Sequence, residues 1–276
     1  MKIKELNSNE LPLMVMLFPS ENTKGSVLLA PAMGITAQYY KNLASWLSEQ
    51  GFFVGVIDYQ GTGTTEHLIK LPITFNDWVK NIEIAGKWLH QQNPDLPLIF
   101  LGHSIGSQLF GFVNNTNLFD KAVFIASSTG YWKDGHSPQK WINYFLLNII
   151  VPLSNFVWGY TNAKFFKQGA NYPKKPALQW RRWCLNKDYL KVDLNDTQNN
   201  YYNHYKGEIT SIWFSDDPIA NEINAPKLLN IYKRAETKLV EIDPRDCDSP
   251  TIGHSGFLSR KFSNSIWNLL LIHINS

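Results

Sequence analysis

The chain has 276 residues, 44% of them hydrophobic and 14% aromatic, enough to bury one sizeable core and too apolar to stay disordered. Its formal net charge of +3, with no Lys/Arg-rich run, argues against a nucleic-acid partner and against an electrostatic membrane anchor. The two cysteines, Cys184 and Cys247, stand far apart in no CxxC pair, which leaves no basis for a disulfide framework or a thiolate metal site and fits a reducing, cytoplasmic compartment.

The first twenty residues, MKIKELNSNELPLMVMLFPS, carry charges and Asn early and lack an apolar run followed by a small-residue cleavage site, so no signal peptide is expected. Strand-like runs and helix-like amphipathic segments then alternate. Strands are expected at Leu11 to Phe18, Gly25 to Ala32, Phe52 to Tyr59, Pro97 to Gly102 and Lys121 to Ser128; helices at Ala37 to Gly51, Thr74 to Gln92 and Ser104 to Asn114. That alternation predicts βαβ units and a parallel sheet. From about Gly130 to Tyr205 it stops, and a Trp-, Tyr-, Phe-, Asn- and Lys-rich stretch reads as an insertion. It resumes with a strand at Glu208 to Asp217, a helix near Asn221 to Tyr232, a strand at Thr237 to Asp243 and a helix within Arg260 to Ile274.

Inside the insertion, Trp141 to Ala163 carries no charge and is long enough to span a bilayer. Asn143, Asn148, Pro152, Ser154 and Asn155 interrupt it, and polar groups cost free energy in hydrocarbon. A buried or interfacial hairpin is the expectation, with membrane association the lesser alternative.

The chemistry centres on Gly102-His103-Ser104-Ile105-Gly106, which joins a strand to a helix. A serine on a sharp strand-to-helix turn needs small neighbours, which the two glycines supply, and the turn lifts its hydroxyl to a helix N-terminus where the Ile105 amide can hold a developing oxyanion. Serine also caps helices, but the strand before and the helix after favour a nucleophile. A hydroxyl needs a histidine base steadied by a carboxylate, and on this kind of turn the chain order is Ser, acid, His. Asp216 and Asp217 follow one strand and His254 lies in the loop after the next. His103 would point away from the nucleophile, while His67, His90, His136, His204 and His273 fall in helix or insertion contexts. A second oxyanion donor is expected from the loop after the third strand, at the Met33 amide. The glycine-rich DYQGTGTTEH has Glu66 where a dinucleotide fingerprint needs its third glycine, so no nucleotide cofactor is expected, and nothing calls for a metal.

With these residues in order the chain resembles the α/β-hydrolase superfamily over nearly its whole length. APAMG, GFFVGVIDYQGTG, LGHSIGSQL, GYW, WRRWC, FSDDPI and GHSGF together look like predicted bacterial α/β-hydrolases related to the serine aminopeptidase and monoglyceride-lipase-like enzymes. The resemblance implies a mostly parallel eight-stranded sheet with helices on both faces, a helical cap inserted after the sixth strand, and a Ser-His-Asp triad. The division would be residues 1–129 and 206–276 for the core and 130–205 for the cap. Asp217 is favoured over Asp216 because Asp-Pro-Ile-Ala resembles the pattern that follows the acid in such enzymes. Two departures stand out: Gln60 where arginine is usual, which would loosen a structural ion pair, and Ser255 where an aromatic follows the histidine.

On such a scaffold the insertion roofs the nucleophile, and Tyr131, Trp132, Trp141, Tyr144, Phe145, Trp158, Phe165, Phe166, Tyr172, Trp180 and Trp183 offer an apolar acyl pocket or pack the cap on the core. The expected activity is hydrolysis of a carboxylic ester or thioester with a hydrophobic acyl or alkyl group. The same groups serve an amidase or peptidase, and a non-catalytic ligand-binding member of the fold is the remaining alternative.

Overall fold

The computed structural model describes residues 1–194 and 200–275. Ten strands run in chain order: β1 (Lys2–Ser8), β2 (Leu11–Phe18), β3 (Gly25–Ala30), β4 (Phe52–Asp58), β5 (Leu98–His103), β6 (Lys121–Ile125), the short β7 (Tyr160–Thr161) and β8 (Tyr172–Pro173), β9 (Glu208–Phe214) and β10 (Glu236–Ile242). Eight of them form one sheet in the order β1-β2-β4-β3-β5-β6-β9-β10, and β7 pairs with β8. β1 and β2 are antiparallel to each other, β2 is antiparallel to β4, and every other neighbouring pair in the large sheet is parallel. The central strands β3 and β5 are buried along their whole length, as their unbroken apolar sequences require of a strand covered on both faces.

Helices α1 (Lys41–Glu49) and α9 (Ile266–Asn275) cover one face, with Leu43, Leu47, Trp267 and Leu270 packed on Val27, Val54 and Leu101. On the other face, α2 (Phe75–Gln92) and α3 (Ile105–Phe110) contribute Trp78, Ile82, Leu89 and Phe110 to a larger cluster. Thr74 and Asp77 close a capping box that starts α2 where the sequence places it. β4 follows β3 to one side and β5 lies on its other side, so the chain order reverses between β3 and β5. The crevice at the carboxyl ends of those strands is where open α/β sheets place their sites.

The chain between β6 and β9 holds α4 (Gln139–Phe145), a π-helical turn (Leu146–Ile150), α5 (Val151–Trp158), α6 (Lys174–Leu185) and α7 (Lys191–Leu194). Residues 195–199 of the expected insertion lie outside the described residues. α4, the π turn and α5 make one continuous helix, Gln139–Trp158, long and apolar enough to cross a membrane, with 22% of its most apolar window buried. The expected hairpin is therefore a single helix. Its chain reverses only at Gly159, which adopts φ 79°. Pro152 has no N–H to give the turn before it, and the Leu147 carbonyl accepts instead from Arg181 Nε at 2.7 Å.

The helix expected near Asn221 to Tyr232 is the short α8 (Ala225–Leu229), preceded by a turn in which Asn221 Oδ1 accepts from the Ile223 and Asn224 amides. β1, for which the sequence offers no strand signal, is an exposed, charged edge strand.

Candidate active site

β5 ends at His103 and α3 begins at Ile105, so Ser104 alone makes the turn, at φ 52°, ψ −116°. That conformation is costly for a residue with a Cβ and persists because the surroundings hold it. Its amide donates to the Ile125 carbonyl of β6 at 2.9 Å, and its carbonyl accepts from the Ser107 amide at 3.1 Å and from Ser127 Oγ at 3.1 Å. Both flanking glycines are required by close approach. A Cβ on Gly102 would sit 2.7 Å from the Ser107 backbone, and one on Gly106 would sit 2.2 Å from the Ala30 carbonyl oxygen. Gly106 thus presses the start of α3 against the end of β3, directly before the Pro31 to Gly34 loop that carries Met33. Further along α3, Gln108 accepts from Tyr189 Oη at 2.8 Å and donates to the Ser128 carbonyl at 2.8 Å, and its own carbonyl accepts from Tyr202 Oη.

His254 Nε2 lies 3.0 Å from Ser104 Oγ, and its Nδ1 lies 2.8 Å from Asp217 Oδ2. A carboxylate can only accept, so Nδ1 carries the proton and Nε2 is free to accept from the serine hydroxyl. The Asp217 side chain is fully buried, that of His254 is 17% exposed, and Ser104 is half-buried. Asp217 Oδ1 is occupied by the Ile219 amide at 2.8 Å, which fixes the carboxylate plane.

Asp216 does different work. It accepts from Thr251 Oγ1 at 2.6 Å and from the amides of Ile252 and Gly253 at 2.8 and 3.0 Å, gripping the loop that presents His254. Burial pushes its carboxyl up, but the bonds from Thr251, Gly253 and Ile252 outweigh it and hold the group below the usual carboxylate range. The Asp-Asp pair is thereby divided between the histidine's ring and the histidine's loop.

His103 points away from Ser104, as expected, yet it belongs to the same assembly. Its Nε2 lies 3.0 Å from the His254 carbonyl and its Nδ1 lies 2.7 Å from Tyr40 Oη, which in turn accepts from the Ala32 amide at 2.9 Å. Because a carbonyl only accepts, Nε2–H donates to it and Tyr40 O–H donates to Nδ1, while Tyr40 Oη accepts from the Ala32 amide, so every polar atom of the chain is satisfied. Burial, with the nearby His254 adding to it, lowers the His103 pKa well below its ordinary value, so the ring is neutral. Tyr40 titrates well above the usual phenol range for the same reason of burial. This buried relay ties the loop beside Met33 to the backbone of His254. The one sequence signal for it was His103 itself, set between a buried strand and the serine.

Asp58 organises the neighbouring loops: Oδ1 accepts from the Ala37 amide at 2.7 Å and Oδ2 from the Thr64 amide and hydroxyl at 3.1 Å each. The glycine-rich turn after β4 wraps this carboxylate, and a Cβ on Gly63 would fall 2.3 Å from Asp58 Oδ2. Gln60 is fully buried and donates to the Ser8 and Leu11 carbonyls at 2.8 and 3.2 Å. In place of the ion pair expected to be loosened, it makes neutral hydrogen bonds to the β1–β2 connection. Ser255 is half-buried and opens a short helical turn.

Of the other histidines, His67, His136 and His204 are exposed, His90 is half-buried and His273 is buried in α9. The aromatic residues between β6 and β9 divide. Trp183 and Tyr172 enter the core, Trp183 stacking on Phe75 and Phe112, whereas Trp141, Tyr144, Phe145 and Phe165 are exposed. Among the described residues no group of three or more His, Cys, Asp and Glu is placed to hold a metal ion.

An eight-stranded, mostly parallel sheet with helices on both faces and a strand–serine–helix turn at its switch point defines an α/β-hydrolase. The family described as serine aminopeptidase, S33, matches residues 21–177, more than half of the chain, and the protein belongs to it. Among solved structures, a soluble variant of monoglyceride lipase from Saccharomyces cerevisiae aligns over 99% of this chain and 94% of its own, with a TM-score of 0.65 and 16% identity. Bromoperoxidase from Bacillus anthracis aligns over 100% of both chains (TM-score 0.64, 14% identity), and the thioesterase domain from the curacin biosynthetic pathway over 100% and 99% (TM-score 0.60, 13% identity). At such identities the likeness is one of fold. No curated protein sequence matches the chain significantly.

Proposed function

We propose that this hydrolase is a serine esterase or thioesterase acting on a small hydrophobic acyl or alkyl substrate through an acyl-enzyme on Ser104. The reading is carried by one observation: Ser104 Oγ, held on a strained turn, His254 and Asp217 form an unbroken hydrogen-bonded line, 3.0 Å and then 2.8 Å. Asp217 keeps the proton on Nδ1 and steadies the imidazolium; His254 Nε2 takes the serine proton as Oγ attacks the acyl carbon. The carbonyl oxygen becomes an oxyanion held by the amides of Ile105 and Met33. On collapse the bond to the leaving oxygen or sulfur breaks, and His254 returns its proton to that atom. Water, deprotonated by His254, then attacks the acyl-serine, releasing the acid and restoring the hydroxyl.

Residues 1–129 and 206–276 form the hydrolase core in this reading, and 130–205 form a cap. The Gly34 carbonyl, which accepts from the Ala170 amide at 2.7 Å, links that cap to the oxyanion loop. Two free cysteines, one buried and one half-buried, suit a cytoplasmic setting. The monoglyceride lipase, carboxyl esterase and thioesterase domain among its structural neighbours are compatible with ester or thioester substrates. The test is hydrolysis of p-nitrophenyl esters and acyl-CoA thioesters of increasing acyl length. Turnover that rises with acyl length and disappears in Ser104→Ala is expected; turnover that survives Ser104→Ala contradicts the reading.

A further inference from the structure

The helix Gln139–Trp158 has two faces of opposite character. Leu147, Val151, Ser154 and Asn155 are buried against the protein. Ile142, Phe145, Ile149, Leu153 and Phe156, spaced at helical intervals on the opposite side, are 48–87% exposed. Soluble surfaces rarely carry so continuous an apolar stripe without a partner.

Aromatic residues and lysines flank both ends of the stripe. At the start, Trp132, Trp141 and Tyr144 form an aromatic cluster, with Lys133 Nζ 5.5 Å over the Trp132 ring and Lys140 Nζ 5.8 Å over Trp141. At the far end, Trp158, Phe165 and Phe166 cluster beside Lys167 in sequence, while the neighbouring Lys164 is ion-paired with Glu66. Residues 130–205 contain ten Lys and Arg against four Asp and Glu, while the rest of the chain contains sixteen against nineteen. The stripe therefore lies in the cationic part of an otherwise slightly acidic molecule.

We infer that this face docks in the plane of a lipid bilayer containing anionic lipid. Apolar side chains on one side of a helix, aromatic residues at both ends and lysines that can reach back to headgroups are what an interfacial helix needs. A spanning arrangement is opposed by the inner face. Asn155 donates to Thr161 Oγ1 of β7 at 2.8 Å, and Arg181 of α6 donates to the Leu147 carbonyl and Asn148 Oδ1, bonds to neighbouring elements that insertion of the helix would break. A second copy of the chain fits poorly, since lysines lie at both ends and pairing the stripes in either direction brings like charges together. Lipid docking requires neither Ser104 nor His254, so it stands or falls separately from the proposed chemistry.

Flotation of the full-length protein with phosphatidylcholine vesicles, with and without phosphatidylglycerol, at low and high salt, tests it. The wild type should float with the anionic vesicles, and Ser104→Ala should float equally. Ile149→Ser and Phe156→Ser should each weaken partitioning about tenfold, as expected for one large apolar side chain withdrawn from hydrocarbon, while keeping the wild-type melting curve. Lys140→Gln with Lys167→Gln should weaken binding at low salt and much less at high salt. Wild-type protein that stays with the solution phase, binding indifferent to the stripe substitutions, or a dimer by light scattering that Phe156→Ser dissolves would each overturn the proposal.

Discussion

At the carboxyl ends of β3 and β5 the structure leaves little choice of residue, whereas along the outer face of Gln139–Trp158 the rest of the fold dictates almost nothing. Around Ser104, Gly106 meets the Ala30 carbonyl, Tyr40 and His103 are bonded on both sides, and the two adjacent aspartates serve separate purposes. Along the helix, Phe156 is 87% exposed. Where the interior dictates identity, substitution should cost stability and chemistry together; where it does not, the residue answers to something outside the molecule.

Gly106→Ala should break the first region most completely. The added methyl meets backbone rather than a movable side chain, so α3 must shift, costing about 3 kcal/mol or more and misplacing the Ile105 amide. A thermal melt and an ester assay check both. Phe156→Ser, by contrast, should leave stability within about 0.5 kcal/mol of wild type; a large loss there would erase the distinction between the regions.

Asp217→Asn and Asp216→Asn sharpen it within a single dipeptide. Loss of the ring partner should lower kcat by about 10⁴-fold with the fold intact, since the wrong imidazole tautomer is favoured. Loss of the loop anchor should mainly lower the melting temperature, with a smaller fall in kcat. The opposite ranking would exchange the roles assigned to the two carboxylates.

Tyr40→Phe leaves the Ala32 amide and His103 Nδ1 without their buried partner and should cost about 1–3 kcal/mol, with kcat falling more than KM rises, because the relay is bonded to the Ala32 and His254 backbone rather than to substrate. Unchanged kcat would make the relay purely structural.

The smallest effect is in pH. The folded pKa of His103 lies below its unfolded value near 6.5, so the unfolded chain binds the extra proton and stability falls as pH drops below about 6.5, by up to about 1.4 kcal/mol per pH unit until the folded ring titrates. Melting temperatures at a series of pH values should show a shallower acid slope for His103→Gln than for wild type.

Much of this was legible in the sequence because it is written in periodicity and spacing. The apolar runs of β2 to β6, the capping Thr74 and the glycines around Ser104 each have a local signature, and the order of Ser104, Asp217 and His254 follows the chain. β1 was not legible, since a charged edge strand such as Lys2–Ser8 has no buried face to impose alternation. Proline and asparagine signal a break in the helix through Pro152, and nothing local announces that Arg181 donates to the orphaned Leu147 carbonyl. Nor could spacing reveal that Tyr40 and His103, 63 positions apart, are hydrogen-bonded.

The central claim is that Ser104 is a nucleophile activated by His254. The most direct measurement is incubation of the folded protein with a fluorescent fluorophosphonate, followed by mass-spectrometric mapping of the adduct. The account predicts a single adduct on the Ser104 peptide, absent in Ser104→Ala and in His254→Ala. A folded wild type that takes up no label, or takes it up at another residue, would contradict it.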